Sequence, residues 1–456
     1  MATLMRAYDP LFDPLTDTPT QGQQYAPTYW VATAGEPPPD DGPAPDGLIA
    51  DVVVVGSGFT GLSTALHLAQ DHHAEVVVLE ANAAAWGCTS RNGGQGQNAM
   101  GRLYRSQWIA KWGEQTAKRL DAEIRSGFEY WESLVAQFDC DAQTGGHLYT
   151  AHRDKKIDFL RNESRVMNNI FGYKTRMLSR EELREEYVND QEAKAALWEP
   201  QGVGVHPLKL AFGYLRRARE LGVKVHTSSP VMKVETRDGL HHLHTPGGIV
   251  KARKVAFATG GYTTQGVHTT TRSKLMPIQS NSMVTRPLTA QELAEAGLKS
   301  TVFITDTRTL RFYYRLLPDG SVQIGSRSAI TGKDAANPKH LELLKKGLYR
   351  KFPSLEGVPI AYNWSGWVDV SHDMMPRIVQ PDPSLSLYYS FGYGGNGVSS
   401  SAWAGRRLAQ RIVGQDGAQW DLPIYNSPLP GHLFSPFRRL GQAMLYHWYY
   451  LRDEVI

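Results

Sequence analysis

Cysteine and long hydrophobic runs are both scarce in this sequence of 456 residues. Its two cysteines, Cys88 and Cys140, are too few to build a disulfide framework, and their scarcity favours a reducing cytoplasm. Apolar runs such as 52–55 and 76–79 have the length of strands, far below the roughly 20 residues that cross a membrane as a helix. The sequence therefore predicts a soluble, cytoplasmic protein with no transmembrane segment.

Charge of one sign is not in excess either. The chain has 49 Lys and Arg against 45 Asp and Glu, which gives a net charge of +4, and it contains no long block of like charges. This balance lacks the basic stripe of a nucleic-acid-binding surface, so we expect no nucleic-acid partner. No metal site is predicted, because His241, His242 and His244 lie beside a turn without an evident cysteine or carboxylate partner.

A glycine-rich motif follows the first clear strand pattern. The apolar run 51–55 leads into the hexapeptide GSGFTG at 56–61, the helical pattern 60–70 comes next, and a second apolar run occupies 75–80. A strand, a glycine turn, a helix and a second strand form a βαβ unit. This context turns a weak glycine pattern into a specific prediction of dinucleotide binding.

Each glycine of the motif has a physical task. Gly56 permits the tight turn, Gly58 lets the backbone approach a pyrophosphate, and Gly61 allows the helix to pack closely on the strand. Glu80 stands about 20 residues further on, where a carboxylate accepts hydrogen bonds from ribose hydroxyls. The unit therefore predicts an adenine dinucleotide without a 2′-phosphate, which leaves FAD or NAD.

The segment after the βαβ unit points to FAD. Residues 86–95 read WGCTSRNGGQ, a run of small and polar residues that ends in two glycines and can lie against a flavin's phosphate and ribityl chain. With this loop and the stretches 199–225, 255–262, 306–327 and 391–412, the sequence resembles the FAD-dependent D-amino-acid oxidase superfamily. The most similar branch includes γ-glutamylputrescine oxidase, L-pipecolate oxidase, glycine oxidase and monomeric sarcosine oxidase.

The resemblance implies an α/β fold, in which a Rossmann-type FAD-binding domain carries an inserted substrate domain with a mixed or antiparallel β-sheet. The chain also exceeds the roughly 250–300 residues at which one hydrophobic core stops growing, which favours two domains. The predicted segments are an extended N-terminal arm (1–47), FAD-binding parts at 48–101, 201–275 and 371–425, a mostly helical substrate-side part (102–200), a substrate-domain sheet (276–370) and a C-terminal helix (426–456). We interpret the last helix as packing on its own protein rather than on a membrane surface.

The resemblance also implies where FAD binds. Relatives that attach flavin covalently use a late cysteine or histidine, and neither cysteine here lies late, so FAD is expected to be non-covalent. The helix that begins near Val398 would direct its positive end at the N1–C2=O side of the flavin, and Val231 would meet the adenine. The expected cofactor-binding residues are Gly56, Gly58, Phe59, Thr60, Gly61, Glu80, Ala81, Thr89, Ser90, Arg91, Asn92, Gly93, Gly94, Gln95, Val231, Thr259, Gly260, Gly394, Gly395, Asn396, Gly397 and Val398.

Candidate catalytic residues concentrate on one predicted strand. Alternation places Arg311, Tyr313 and Arg315 on one face and Arg308 on the other. A guanidinium there could clamp a substrate carboxylate, and a tyrosine hydroxyl could complete the contact. The alternative is a solvated sheet edge. From this strand, Arg308, Arg311 and Tyr313 are the candidate catalytic residues. Trp367 is the fourth, as an aromatic wall of the substrate site or a core residue.

Lys274 is a further candidate, as an oxygen-activating residue near flavin N5.

The resemblance implies oxidation of a CH–NH group to an imine by hydride transfer to flavin N5. Expected substrates are an amino acid, a cyclic imino acid such as L-pipecolate, or a γ-glutamylated amine, with oxygen or a respiratory quinone as the acceptor. The chemistry is carried mainly by the cofactor, and the protein orients the substrate. The alternatives are a flavoprotein of the same fold in tRNA modification, a quinone-linked amino-acid dehydrogenase and a non-catalytic FAD-binding scaffold.

Overall fold

The computed structural model of the protein describes residues 5–431 and 435–455, which form three β-sheets with flanking helices. The strands of the described residues are β1 (Ile49–Val55), β2 (Val76–Leu79), β3 (Gln95–Gln97), β4 (Gln143–Thr144), β5 (His147–Ala151), β6 (Arg176–Leu178), β7 (Ala195–Glu199), β8 (Gly202–Gly204), β9 (Lys224–His226), β10 (Lys233–Arg237), β11 (Leu240–Thr245), β12 (Gly248–Phe257), β13 (Leu275–Thr285), β14 (Phe303–Asp306), β15 (Tyr313–Leu316), β16 (Val322–Ser326), β17 (Ile360–Ser371), β18 (Arg377–Val379) and β19 (Leu387–Phe391). The α-helices are α1 (Tyr29–Thr33), α2 (Phe59–His72), α3 (Arg105–Trp112), α4 (Glu114–Val135), α5 (Ile157–Phe171), α6 (Arg180–Glu186), α7 (Pro207–Glu220), α8 (Ala290–Ala296), α9 (Gly332–Ala335), α10 (Lys339–Lys351), α11 (Gly397–Ile412), α12 (Pro423–Asn426) and α13 (Arg438–Tyr450).

The first sheet contains the βαβ unit that the glycine motif predicts. Its strand order is β10-β11-β12-β1-β2-β9, and β19 pairs with the end of β12 and then with β18. β1 is parallel to both neighbours, so that Val53 pairs with Val77 on one side and with Val255 on the other. The carboxyl ends of β1, β2, β12 and β19 therefore meet at one edge, where open α/β sheets bind ligands.

Both faces of β1 are covered. Val52 and Val54 belong to the hydrophobic core formed with α2, α7 and α11, whereas Val53 and Val55 belong to the core on the opposite face. A strand buried on both faces is a continuous apolar run rather than an alternating one, which explains the four consecutive valines.

The second sheet is mixed. Its order is β17-β13-β16-β15-β14-β5-β7-β6, in which β14 and β5 are parallel and the other pairs are antiparallel. Helix α10 packs on one face through Leu344 and Leu348. This sheet and the Rossmann-type sheet together confirm the predicted α/β fold class.

The second sheet also shows how the chain segments interleave. The segment 102–200 contributes helices α3 to α6, and it also supplies β5, β6 and β7 to the sheet whose other strands lie in 276–370. The third sheet, of order β3-β8-β4, joins residues 95–97 to 202–204 beside the cofactor loop. The domain boundaries themselves remain a prediction.

The N-terminal arm packs on the body of the protein, and the C-terminal helix α13 contacts the arm and β13 while most of its apolar side chains stay exposed. The arm includes the short helix α1, where Trp30 is buried and donates its indole N–H to the Asn92 carbonyl at 2.7 Å. Arg439 of α13 pairs with Asp13 of the arm at 2.7 Å. In the described part of the chain, no helix is long and apolar enough to cross a bilayer.

Candidate cofactor and substrate site

The first glycine turn has the geometry that its sequence predicts. Gly56 has a φ of +101°, and a Cβ there would lie 2.9 Å from the Ala258 carbonyl oxygen. A Cβ on Gly61 would lie 1.8 Å from the Gly56 carbonyl oxygen, so α2 can approach the turn only with glycine at this position. Gly58 precedes α2 and offers no side-chain cap, which leaves the helix N-terminus available to an anion.

Glu80 lies at the end of β2, facing this turn. Its carboxylate accepts hydrogen bonds from the Ser57 backbone N–H at 2.9 Å, the Ser57 hydroxyl at 2.7 Å and the Asn82 N–H at 3.1 Å. Burial raises the pKa of Glu80, and these hydrogen bonds oppose the shift. The carboxylate is therefore fixed between the turn and the strand edge.

Arg91 is the most constrained side chain of the second loop. Its guanidinium lies over the Trp86 ring at 4.0 Å and the Tyr262 ring at 5.2 Å, and it donates to the Tyr262 hydroxyl at 2.9 Å. Its Nε and Nη2 atoms are buried and have no hydrogen-bond partner among the described residues. A buried guanidinium with free donors is costly unless a ligand accepts from it.

A second glycine loop precedes α11. Gly392 donates its N–H to the Asp369 carboxylate at 2.5 Å, and the Gly394 N–H donates to the Asp369 backbone carbonyl at 2.9 Å. Burial raises the pKa of Asp369 to about 6. Asn396 makes no side-chain cap on α11, so this helix also presents an uncapped N-terminus to the site.

One cavity is lined by both glycine loops. The expected cofactor-binding residues that line it are Gly56, Gly58, Phe59, Thr60, Glu80, Ala81, Thr89, Arg91, Asn92, Gly93, Gln95, Val231, Thr259, Gly260, Gly395, Asn396, Gly397 and Val398. Four expected residues stand behind the lining: Gly61, Ser90, Gly94 and Gly394. They shape the wall instead, as when the Ser90 hydroxyl donates to the Trp86 carbonyl at 2.7 Å.

Arg311 and Tyr313 line the opposite end of the same cavity. The Arg311 guanidinium lies over the Tyr149 ring at 5.5 Å, its Nε is buried without a partner, and it forms no ion pair within the described residues. The Tyr313 hydroxyl is within hydrogen-bond distance of the Ser280 and Ser282 hydroxyls, at 2.9 and 3.0 Å. Arg311 therefore offers the cavity a cation that forms no ion pair within the described residues.

Comparison with known proteins gives a consistent assignment. The family of FAD-dependent oxidoreductases (DAO) matches residues 51–411. Gamma-glutamylputrescine oxidoreductase of Escherichia coli K12 is 31% identical over 440 residues, which cover 95% of this chain and 99% of that protein. The chain belongs to the FAD-dependent oxidoreductase family.

Other members of the DAO family are more distant. Sarcosine oxidase subunit beta of Arthrobacter sp is 26% identical over 397 residues, covering 82% of this chain and 89% of that protein. The crystal structure of glycine oxidase from Geobacillus kaustophilus has a TM-score of 0.70 at 18% identity and covers 85% of this chain and 100% of that chain. The predicted FAD cofactor and enzyme class are thereby confirmed.

The hydrogen-bond donors that line the cavity of this DAO-family enzyme fit FAD. Buried polar atoms without a partner among the described residues include Arg91 Nε and Nη2, Thr264 Oγ1 and Ser401 Oγ, and all three residues line the cavity. Cys88 also lines it, but burial raises the pKa of its thiol to about 12, so the nucleophilic thiolate is not formed near neutral pH. This favours the non-covalent attachment expected from the sequence.

Two of the four predicted catalytic residues lie outside the cavity lining. Arg308 donates to Asp306 and Glu454 at 2.6 Å and to Glu192 at 2.8 Å, so its guanidinium is held by three carboxylates on the other side of the sheet. We therefore do not propose that it binds substrate.

Trp367 is the other. Its indole N–H donates to the Phe12 carbonyl at 3.0 Å, and the Arg439 guanidinium lies over its ring at 4.8 Å. Its neighbours Gly366 and Val368 line the cavity, as strand alternation requires. Trp367 thus joins the arm to α13 rather than forming the substrate wall, and Lys274 does not line the cavity either.

The structure also shows cavity residues that the sequence did not reveal. His147 lines the substrate end, with Nδ1 at 2.6 Å from Glu199 and Nε2 at 2.6 Å from the Thr305 hydroxyl. These residues come from β5, β7 and β14, which only the folded sheet brings together. The arm contributes Phe12 as well. In the sequence, only the alternation of His147 and Tyr149 on one short strand could have indicated that both side chains face the cavity.

Proposed function

We propose that this enzyme oxidises the CH–NH bond of an amine that carries a carboxylate, and that Arg311 binds the carboxylate. The observation that carries the proposal is a half-buried, cavity-lining guanidinium whose Nε has no hydrogen-bond partner and which forms no ion pair among the described residues. A desolvated cation of this kind is costly without a counterion, and a planar carboxylate matches its paired donors.

FAD, when bound, supplies the oxidant that accepts two electrons and a hydrogen from the substrate C–H bond. The protein has to hold the amine in one orientation and keep it deprotonated. Arg311 and the hydroxyl of Tyr313 orient the substrate from the sheet, while His147, held by Glu199 and the Thr305 hydroxyl, forms a fixed polar part of the cavity wall. The product is an imine, which water hydrolyses unless it is cyclic and stable.

Two classes of carboxylate-bearing amine are candidate substrates, and they can be tested separately. The likeness to gamma-glutamylputrescine oxidoreductase over almost the whole chain favours a γ-glutamylated amine. A cyclic imino acid such as L-pipecolate satisfies the same carboxylate requirement. Oxygen and a respiratory quinone are both compatible acceptors, and the rate at which air reoxidises the reduced enzyme separates an oxidase from a dehydrogenase.

The test is anaerobic stopped-flow bleaching of the flavin by matched pairs of amines. L-Pipecolate is compared with piperidine, and γ-glutamylputrescine with putrescine. We expect bleaching only by the carboxylate-bearing member, and a roughly 10–100-fold higher Kd for it in Arg311→Met, the loss expected for a charge-assisted pair. Arg217→Met, an exposed arginine of α7, is the matched control. Equal bleaching by piperidine or putrescine would contradict the proposal.

A further inference from the structure

Arg327 is an arginine of the cavity that has no partner. It follows β16, lines the cavity and is half-buried. It makes no hydrogen bond and no ion pair with any described residue, and its neighbours include the tyrosine rings of Tyr446 and Tyr449 on α13. A guanidinium has five N–H donors, and because none of those of Arg327 is engaged by a described residue, they are available to a ligand in the cavity.

Arg327 and Arg311 lie just beyond neighbouring ends of two paired strands, β16 and β15. The β15–β16 ladder ends at the pair Tyr313 and Gly325, and the two arginines stand two residues beyond it on the continuations of these strands. Alternation places them on the cavity face, and both line the cavity.

A third arginine approaches from the cofactor loop. Arg102 Nη1 donates to the Gly394 carbonyl at 3.1 Å, and Arg102 forms no ion pair with the described residues. Arg102 Nη1 and Arg327 Nη2 each lie 3.8 Å from the position that a Cβ of Gly395 would occupy. The two guanidinium groups therefore flank Gly395, on the cavity wall.

The acidic side chains of the cavity do not neutralise these arginines. Glu163 is hydrogen-bonded to Ser106, Glu199 is paired with His147, and Asp369 accepts from the Gly392 N–H. The positive end of the cavity lacks a counterion in the described chain, and an anionic ligand supplies one.

We infer that Arg327, with Arg102, forms a second anion subsite beside the one at Arg311, and that the substrate is an amine with two carboxylates. This inference rests on the proposed function and narrows its substrate class, so L-pipecolate and γ-glutamylputrescine, which carry one carboxylate each, should bleach the flavin more slowly than a dicarboxylic amine. A dicarboxylic amine would place one carboxylate at Arg311 and the other at Arg327, which fixes the orientation of the C–H bond between them.

The test is a titration of the flavin-loaded enzyme, with ligand binding followed by the change in flavin absorbance. Malonate, succinate and glutarate are compared with acetate, propionate and butyrate. We expect at least one dicarboxylate to bind about 10-fold or more tightly than the matching monocarboxylate, as one further charge-assisted contact implies. Arg327→Gln should abolish this preference and leave monocarboxylate binding unchanged, whereas Arg327→Lys should retain part of it.

Three results would overturn the inference. The first is equal binding of mono- and dicarboxylates by the native enzyme. The second is equal weakening of both classes of ligand in Arg327→Gln. The third is that Arg327→Gln keeps the preference for dicarboxylates and shifts the flavin midpoint potential. The last result would show that the guanidinium faces the cofactor. Carboxylate binding needs no turnover, so a preference for dicarboxylates without bleaching by any amine would refute the proposed oxidation and support the subsite.

Discussion

The two ends of the cavity are built from different materials. At the cofactor end, backbone groups form the wall, in two glycine loops that each lead into an uncapped helix N-terminus at α2 and α11. At the substrate end, side chains from separate strands form the wall, among them Arg311, Arg327 and His147. Backbone walls bind a fixed diphosphate and ring system, whereas side-chain walls can differ between relatives that share a cofactor.

Arg308 and Arg311 sharpen this comparison, since they are three residues apart and differ in role. Arg308 is surrounded by Asp306, Glu192 and Glu454, and Arg311 has no carboxylate partner among the described residues. The difference shows that an arginine neutralised by its own protein stabilises the fold, while one left without a counterion is available to a ligand.

Arg308→Met is expected to have the largest effect on stability. It leaves the buried Asp306 carboxylate short of a counterion, so the free energy of unfolding should fall by about 3–5 kcal/mol. Lys351, also paired with Asp306, limits the loss. The measurement is urea denaturation of the flavin-loaded protein, together with the Kd for the carboxylate ligands, which should not change.

Arg350→Met is the matched control, because Arg350 pairs with Glu192 and Glu454 from an exposed position. Its cost should stay below about 1 kcal/mol, as for surface ion pairs. If Arg308→Met instead weakened carboxylate binding and left stability unchanged, the distinction between the two arginines would be wrong.

Gly61→Ala tests the backbone wall at the cofactor end. The new Cβ would lie 1.8 Å from the Gly56 carbonyl oxygen, so α2 must move away from the turn that faces the dinucleotide. We expect FAD to bind about 100-fold more weakly, roughly 2.7 kcal/mol, within the range for overpacking. Flavin fluorescence during apoenzyme reconstitution measures the Kd. Gly441→Ala, where nothing lies within 4 Å of the new Cβ, should leave the Kd unchanged.

The cofactor end was largely predictable because its signals are local. The strand, the turn and the helix of 49–72 follow one another, and the structure confirms the predicted strand and helix within two residues at each end. The spacing from Gly56 to Glu80 likewise reflects one βαβ unit. A short stretch of sequence was therefore enough to predict most of the geometry of the cofactor end.

The substrate end was predictable only in part. Arg308 and Arg311 both lie in the connection between β14 and β15 rather than on the predicted strand, and the sequence could not show that Glu192 and Glu454, from distant segments, would surround Arg308. His147 and Glu199 meet only through strand pairing of β5 with β7. Trp367 was placed on the right strand and faces away from the cavity. Long-range pairings of this kind are set by tertiary structure rather than by local pattern.

Asp369 lies at the junction of the two ends, and its titration gives the third expected effect, which appears only as the pH changes. Burial raises its pKa from 3.8 to about 6, so the folded protein binds this proton more tightly than the unfolded chain. The stabilising contribution is therefore complete below about pH 4 and is lost as the pH rises through about 6. Asp369→Asn removes the titration and keeps an acceptor for the Gly392 N–H. Relative to the native enzyme, we expect the variant to gain about 3 kcal/mol of stability between pH 4 and 7.

The measurement is the difference in the free energy of unfolding between native and Asp369→Asn enzymes across that pH range. Glu163→Gln is the companion variant, since burial also raises the pKa of Glu163, at the substrate end. If the Asp369 difference stays constant with pH, the carboxylate is already charged in the folded protein and the N–H groups of the glycine loop outweigh its burial. If the difference in unfolding free energy does change with pH, the glycine loop at the flavin end is held by Asp369, a carboxylate whose ionisation is disfavoured by its burial. The backbone wall would then depend on one titratable side chain, and the contrast between the two ends would be one of degree.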